Sequence, residues 1–265
     1  TAVNALSLPL CSTIINRDRL IFFSPGTVHR SRLEPARIFN LAGRASDPDR
    51  DHDILTLGKM NVLQQEITKG VEILRKGGVI AFPTDTVYGL GADVFNTRAV
   101  ERVYEIKNRS KSRQFPLLIA DAKQLTTLAE SIPEIAWLLA RRFWPGGLTL
   151  VLSKKDSLPA YLGSQPTIAV RIPNHPVCLA LIKGLGHPVT GTSANTSGQP
   201  ATLTADEVGQ QLEGKIDLII NGGRCPGGKE STIVDITGEP PMILRQGIIP
   251  SHEIDKAYKE YLEAK

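Results

Sequence analysis

From Met60 onward the chain alternates amphipathic helical text with short β-branched runs, and that alternation restricts it to an α/β architecture. Val62, Ile67, Val71 and Leu74 recur at helical spacing, predicting a helix over about 61–76. Gly77-Gly78 ends it, and Val79-Ile80-Ala81-Phe82 reads as a buried strand closed by Pro83. The same reading predicts strands at Pro116–Ala120, Leu148–Leu152, Thr167–Ile172, Val189–Thr190, Ile216–Ile220, Thr232–Ile236 and Ile243–Leu244. Helices are predicted over about 97–107, around Trp137-Leu138-Leu139, and over about 175–183, 204–213 and 251–263. No internal repeat or linker interrupts 60–265, so this stretch is expected to be one domain with a large, mixed, twisted sheet flanked by helices.

Residues 1–59 read differently. They hold eight basic and six acidic residues, with no sustained apolar period. So many acids argue against an organellar transit peptide, and Leu20-Ile21-Phe22-Phe23 is too short for a secretory apolar region. An irregular extension, poorly ordered or extraneous, is expected there. No run reaches the roughly 18 apolar residues that a membrane-spanning helix needs, so no membrane association is expected. Three separated cysteines form neither a disulfide framework nor a CxxC pair, which suits the cytoplasm. The five histidines show no zinc-enzyme spacing, and no metal ligand set is expected. A net charge of +4 suits an anionic ligand such as a nucleotide or RNA.

Three motifs come close to known signatures and fail. Gly223–Glu230 nearly spells a phosphate-binding P-loop, but Glu230 stands where a magnesium-binding hydroxyl belongs and β-branched text follows. Gly89-Leu-Gly91 lacks the third glycine of a dinucleotide fingerprint. Gly191-Thr-Ser193-Ala-Asn195 misses the nucleophile elbow by one residue, and no histidine presents itself as its base.

What remains are polar or cationic side chains on Gly/Pro-shaped loops beside strands. In Pro83-Thr-Asp-Thr-Val-Tyr-Gly-Leu-Gly91 the hydroxyls of Thr84, Thr86 and Tyr88 can orient a small polar ligand, or merely cap a turn. Lys107-Asn-Arg109 and the following Ser110-Lys-Ser-Arg113 concentrate four cations in seven residues, enough to clamp a triphosphate. The same cations also suit a helix C-terminus. Thr190-Gly-Thr-Ser-Ala-Asn-Thr-Ser197 is a donor-rich loop after a strand, suited to phosphate or ribose oxygens or to an ordinary turn. Arg171 ends a predicted strand and faces either solvent or a carboxylate in a cleft.

Taken in order, Pro83-Thr-Asp-Thr-Val-Tyr-Gly-Leu, Lys107-x-Arg109, Phe143-Trp-Pro-Gly-Gly-Leu-Thr149, Val170-Arg-Ile-Pro, Ser193-x-Asn195 and Glu230-Ser-Thr232 closely resemble the YrdC family of L-threonylcarbamoyladenylate synthases. The resemblance covers about 62–250, and the chain looks like the short single-domain form. It implies an α/β fold with a large, positively charged concavity. It also implies a reaction in which ATP (with Mg²⁺), L-threonine and bicarbonate or CO2 give threonylcarbamoyl-AMP and pyrophosphate. A downstream transferase would then modify the adenosine beside the anticodon of tRNA, and the concavity would suit direct tRNA contact.

By position, Thr86, Arg171, Gly191 and Ser231 match threonine-binding residues in that family. Lys107, Arg109, Thr167, Ser193, Asn195 and Arg245 match residues around the nucleotide, with Lys107 and Arg109 placed to neutralise charge during catalysis. The chain departs from the family pattern between Arg109 and Pro116, a stretch two residues longer than usual. Phe115 replaces a nucleotide-contacting Asn, Ala120 a His near the threonine, and Ala201 a common Ser. Two other functions fit the residues less well: a non-catalytic RNA-binding module using the same concavity, and a relative activating a different carbamoyl donor or acceptor. Stacking aromatics would favour RNA, but aromatics are only 5% of the chain.

Overall fold

The Gly77-Gly78 stop and the Val79–Phe82 run that follows it set the entry into the sheet system of the computed structural model, which describes residues 48–110, 112, 114–162 and 165–265. Helix α1 (Pro48–Arg75) ends where predicted but starts before Met60. The expectations for 1–47, and for the cations Lys111 and Arg113, lie outside the described residues. Then follow β1 (Ile80–Phe82), β2 (Gly89–Gly91), α2 (Thr97–Ile106), β3 (Leu117–Leu118), α3 (Leu125–Leu128), α4 (Glu134–Phe143), β4 (Leu148–Ser153) and β5 (Thr167–Arg171). The chain continues through α5 (Pro176–Leu185), β6 (Val189–Thr190), β7 (Thr192–Ser193), α6 (Ala205–Leu212), β8 (Leu218–Ile219), β9 (Thr232–Asp235), β10 (Met242–Arg245) and α7 (Ser251–Glu263).

The fold is mixed α/β, as the alternation requires, with its strands divided between two hydrogen-bonded sheets. A four-stranded sheet runs β7-β2-β1-β8, and a six-stranded sheet runs β10-β9-β4-β5-β3-β6. The second mixes parallel pairs (β3/β5, β4/β9) with antiparallel ones (β4/β5, β9/β10, β3/β6). Strands β2 and β7 escape prediction because Gly-Leu-Gly and Thr-Ser carry little strand propensity. Partners on either side hold β2 extended, with Phe82 opposite Gly89 and Ser193 opposite Gly89.

The chain passes from one sheet to the other at Gly191. Thr190 belongs to β6, Thr192 to β7, and the Gly191 N–H donates to Pro116 O at 2.7 Å. A Cβ there would lie 2.6 Å from Leu118 Cγ, so the crossing needs glycine. Next to it the sheets touch: Thr190 N–H donates to Ala92 O at 2.9 Å and Asp93 bridges Val189.

Two apolar clusters hold the layers. The larger buries Leu148, Leu150, Leu152, Ile168, Val170 and Val234 of the six-stranded sheet against residues of α2, α4 and α7. The smaller packs α1 and α5 on β1 through Val71, Leu74, Leu181 and Phe82. Gly70 and Gly184 let these two helices approach closely, since a Cβ on Gly184 would fall 2.8 Å from Val71 Cγ2. Among the described residues, no helix is long and apolar enough to cross a membrane.

Candidate active site

Strand alternation sends successive side chains to opposite faces, so what the core does not take lines the other face of the six-stranded sheet. Thr149 and Val151 of β4, Thr167, Ala169 and Arg171 of β5, and Ile233 of β9 form the floor of one pocket of about 890 Å³. Its walls are the Thr84–Gly89 turn, the end of α2 with Lys107 and Arg109, the Gly191–Gly198 loop, and Glu230, Ser231 and Arg245. Every residue that the family resemblance assigns to the site lines this pocket: Thr86, Lys107, Arg109, Thr167, Arg171, Gly191, Ser193, Asn195, Ser231 and Arg245.

Arg171 is buried and forked. Its Nε donates to Gly146 O (2.9 Å), Nη1 to Thr86 Oγ1 (2.9 Å) and Nη2 to Asp85 Oδ1 (2.6 Å). Burial lowers the pKa of the guanidinium, and the Asp85 carboxylate opposes that effect. Asp85 Oδ1 also accepts the Asn174 N–H at 2.9 Å, so the carboxylate ties β5 to the Thr84–Gly89 turn.

The hydroxyl polarity of this turn follows from proton counting. Thr84 Oγ1 donates its single proton to Val87 O (2.7 Å) and accepts the Thr86 N–H (3.1 Å). Its contact with Thr86 Oγ1 (3.0 Å) must therefore be donated by Thr86. With Arg171 donating to Thr86 as well, Thr86 offers only acceptor capacity to the pocket, a match for an N–H donor. Thr84 acts through Thr86, and its place in Pro-Thr-Asp-Thr is the only sequence signal for it. Tyr88 plays no such part. Its ring is fully buried and its hydroxyl donates to Gly223 O at 2.8 Å, because a buried phenol needs an acceptor.

Lys107 is buried under the Gly191–Gly198 loop. Its Nζ donates to Ser193 O (2.8 Å), Asn195 O (2.6 Å) and Asn195 Oδ1 (2.7 Å), which occupies all three ammonium protons. Asn195 Oδ1 also accepts from Ser193 Oγ at 2.7 Å, and Ser197 Oγ donates to Lys107 O. Lys107, Ser193 and Asn195 are thus one hydrogen-bonded unit, with the lysine as its cationic centre. Burial pulls the Lys107 pKa down to about 8, with Glu230 acting to raise it and Arg109 to lower it.

Arg109 is held differently. Its guanidinium lies 4.8 Å from the Phe115 ring centroid, and Nη2 donates to Gln114 O at 2.8 Å. Phe115 faces away from the pocket and packs on Tyr104, ring centroids 4.4 Å apart. The residue that departs from the family pattern therefore supports Arg109, and its neighbour Gln114 lines the pocket. Ala120 does not line the pocket.

At the opposite wall Arg245 donates from Nε and Nη2 to Ser231 O (3.1 and 2.9 Å), from Nη2 to Ser231 Oγ (3.1 Å), and from Nη1 to Glu230. Ser231 Oγ also lies 2.8 Å from Thr149 Oγ1. Thr149 and Glu230 were absent from the expected set. Thr149 was readable as the last residue of Phe-Trp-Pro-Gly-Gly-Leu-Thr, two places before Val151 on the same strand face.

A protein-family model named Sua5_yciO_yrdC and described as "Telomere recombination" matches residues 72–247. The chain is 45% identical over 188 residues to a threonylcarbamoyl-AMP synthase of Pyrococcus abyssi, covering 71% of this chain and 55% of that protein. A crystal structure of P. abyssi Sua5 complexed with L-threonine superimposes with a TM-score of 0.70 at 44% identity, covering 72% of this chain and 56% of that one. The uncharacterized protein YciO of Escherichia coli is 35% identical over 191 residues, covering 71% of this chain and 92% of YciO. The chain spans about half the length of the threonylcarbamoyl-AMP synthases of P. abyssi, Bacillus subtilis and Schizosaccharomyces pombe. On the family model and these relatives together, the chain belongs to the Sua5/YciO/YrdC family.

Proposed function

We propose that the protein makes L-threonylcarbamoyladenylate from L-threonine, bicarbonate or CO2 and ATP. The amino group of threonine takes up CO2 and loses a proton, giving a carbamate. A carbamate oxygen then attacks the α-phosphorus of ATP, the bond to the bridging oxygen breaks, and pyrophosphate leaves. No covalent enzyme intermediate is required, so the residues act by positioning and by offsetting charge.

One observation carries this reading. A single pocket combines a buried Arg171–Thr86 pair, suited to the carboxylate and nitrogen of an amino acid, with Lys107, Arg109 and Arg245, suited to phosphates. Two donors of Arg171 remain beyond the three it spends on protein. The relative crystallised with L-threonine supports the amino-acid half of the pocket. The apolar floor of Val151, Ala169 and Ile233 suits the uncharged part of a ligand.

Mg²⁺ enters as part of the MgATP substrate. Among the described residues no group of three or more His, Cys, Asp and Glu side chains converges to hold an ion, and Glu230 is paired with Arg245. The product would pass to a transferase that acts on tRNA. The RNA-binding alternative finds less support, because no aromatic ring among the described residues lines the pocket for base stacking.

The test is pyrophosphate release by the full chain with MgATP, L-threonine and bicarbonate, each omitted in turn, with mass detection of the adenylate. Release that needs all three supports the synthase. Binding of RNA without any adenylate would replace it with the binding module.

A further inference from the structure

Glu230 is the one carboxylate among the described residues lining the pocket, which it shares with Lys107, Arg109, Arg171 and Arg245. A lone negative charge in a pocket built for polyanions opposes the ligand unless it has a task of its own.

The geometry around Arg245 suggests that task. Nε and both protons of Nη2 are committed to Ser231 O and Oγ, which fixes the guanidinium independently of Glu230. Nη1 is the end that pairs with Glu230. The pair is about two-fifths exposed on both sides (38% and 39%), the regime in which an ion pair contributes little and yields to a stronger anion. Glu230 can leave without unfolding anything local, because its main-chain oxygen stays bonded to the Ile248 N–H at 2.9 Å. Its charge also reaches across the pocket, since it is the group that acts to raise the Lys107 pKa.

We propose that Glu230 is a built-in counter-ion that competes with nucleotide phosphates and pyrophosphate for Arg245, setting phosphate affinity low enough for pyrophosphate to depart. The proposal rests on the synthase reading, because it assigns the phosphates to the Arg245 side of the pocket. When a polyanion binds, Nη1 exchanges the carboxylate for a phosphate oxygen and the Glu230 side chain swings to solvent. When pyrophosphate is the ligand remaining, the tethered carboxylate returns and displaces it.

Calorimetric titration of pyrophosphate and of AMP into wild-type protein, Glu230→Gln and Glu230→Asp, at low and high salt, tests this. Glu230→Gln should bind pyrophosphate about three- to tenfold more tightly, from loss of the competing pair and of like-charge repulsion. AMP, with less charge, should gain less, and the gain should shrink at high salt. Glu230→Asp keeps the charge and should stay near wild-type affinity, an outcome that a purely structural role does not predict. Glu230→Ala provides the same reading should Glu230→Gln fail to fold. Equal or weaker pyrophosphate binding by the neutral variants, beside a wild type that binds, overturns this proposal alone. Wild-type protein that binds neither pyrophosphate nor ATP overturns the proposed function and this proposal with it.

Discussion

Lys107 Nζ reaches Asn195 at two points, the main-chain oxygen at 2.6 Å and the side-chain oxygen at 2.7 Å, across 88 residues of sequence. The ammonium thereby closes the end of α2 onto the loop after β7. It charges the pocket without pointing a free proton into it. A lysine so placed contributes through its field and through the loop it holds, which distinguishes it from Arg109 on its Phe115 shelf.

This arrangement predicts a pH effect of definite sign. Burial brings Lys107 from an ordinary 10.5 down to about 8, so the folded chain sheds this proton at lower pH than the unfolded chain does. Between those values the unfolded state holds more protons, and this group's contribution to the unfolding free energy rises with pH. Anion affinity moves the other way. ATP binding, measured without threonine, should weaken as pH rises through about 8, with the midpoint shifted upward by the bound phosphates. Lys107→Met should flatten that profile. A wild-type affinity that is level from pH 7 to about 9.5 would remove Lys107 from the electrostatics of the site.

The Arg171–Asp85 pair predicts a second outcome. Both side chains are largely enclosed, at 7% and 15% exposure, so removing either one strands a buried charge. Arg171→Ala and Asp85→Ala should each lower stability by about 3–5 kcal/mol in denaturant titrations. The double variant should lose less than the sum, because the second change removes the stranded partner. Additive losses would mean that the pair is not coupled. Arg171→Lys keeps the charge but not the fork to Gly146, Thr86 and Asp85, and L-threonine binding should fall in that variant.

Phe115 supplies a third. It is 4% exposed and wedged between Tyr104 and Arg109. Phe115→Ala should cost about 3–5 kcal/mol, the range for a buried aromatic. Phe115→Leu keeps most of the volume but not the ring face, so it should remain folded while ATP affinity drops as Arg109 loses its platform. Unchanged ATP affinity in a folded Phe115→Leu protein would show that Arg109 does not need the ring for its position.

Periodicity and punctuation in the chain settled the order of the main elements. Ile67, Val71 and Leu74 became the buried face of α1, although Val62, expected on that face, is exposed and Leu63 packs in its place; Gly77-Gly78 became its stop, and Leu148–Leu152 and Thr167–Ile172 the paired strands β4 and β5. Local chemistry marked Thr84, Thr86, Lys107, Arg109, Arg171 and the Thr190–Ser197 loop, because Gly/Pro-shaped loops carrying hydroxyls and cations are legible without knowing what they face, whereas Thr167, Ser231 and Arg245 came from the family resemblance alone. Partners were not legible. Whether Arg171 pointed to solvent or to a cleft was decided by Asp85 arriving from the β1–β2 turn. Lys107 and Tyr88 were both polar groups on promising motifs. Packing gave the first to the loop after β7 and the second to the main chain of Gly223. The pairing of β2 with β7 and the Arg245–Glu230 contact join residues from separate elements, and the split into two sheets at Gly191 depends on the different partners that β6 and β7 find. Local propensity follows from each residue's own backbone preferences. The acceptor that a buried donor finds is set only when the sheets close over it, since an unpaired buried group costs more than any local preference supplies.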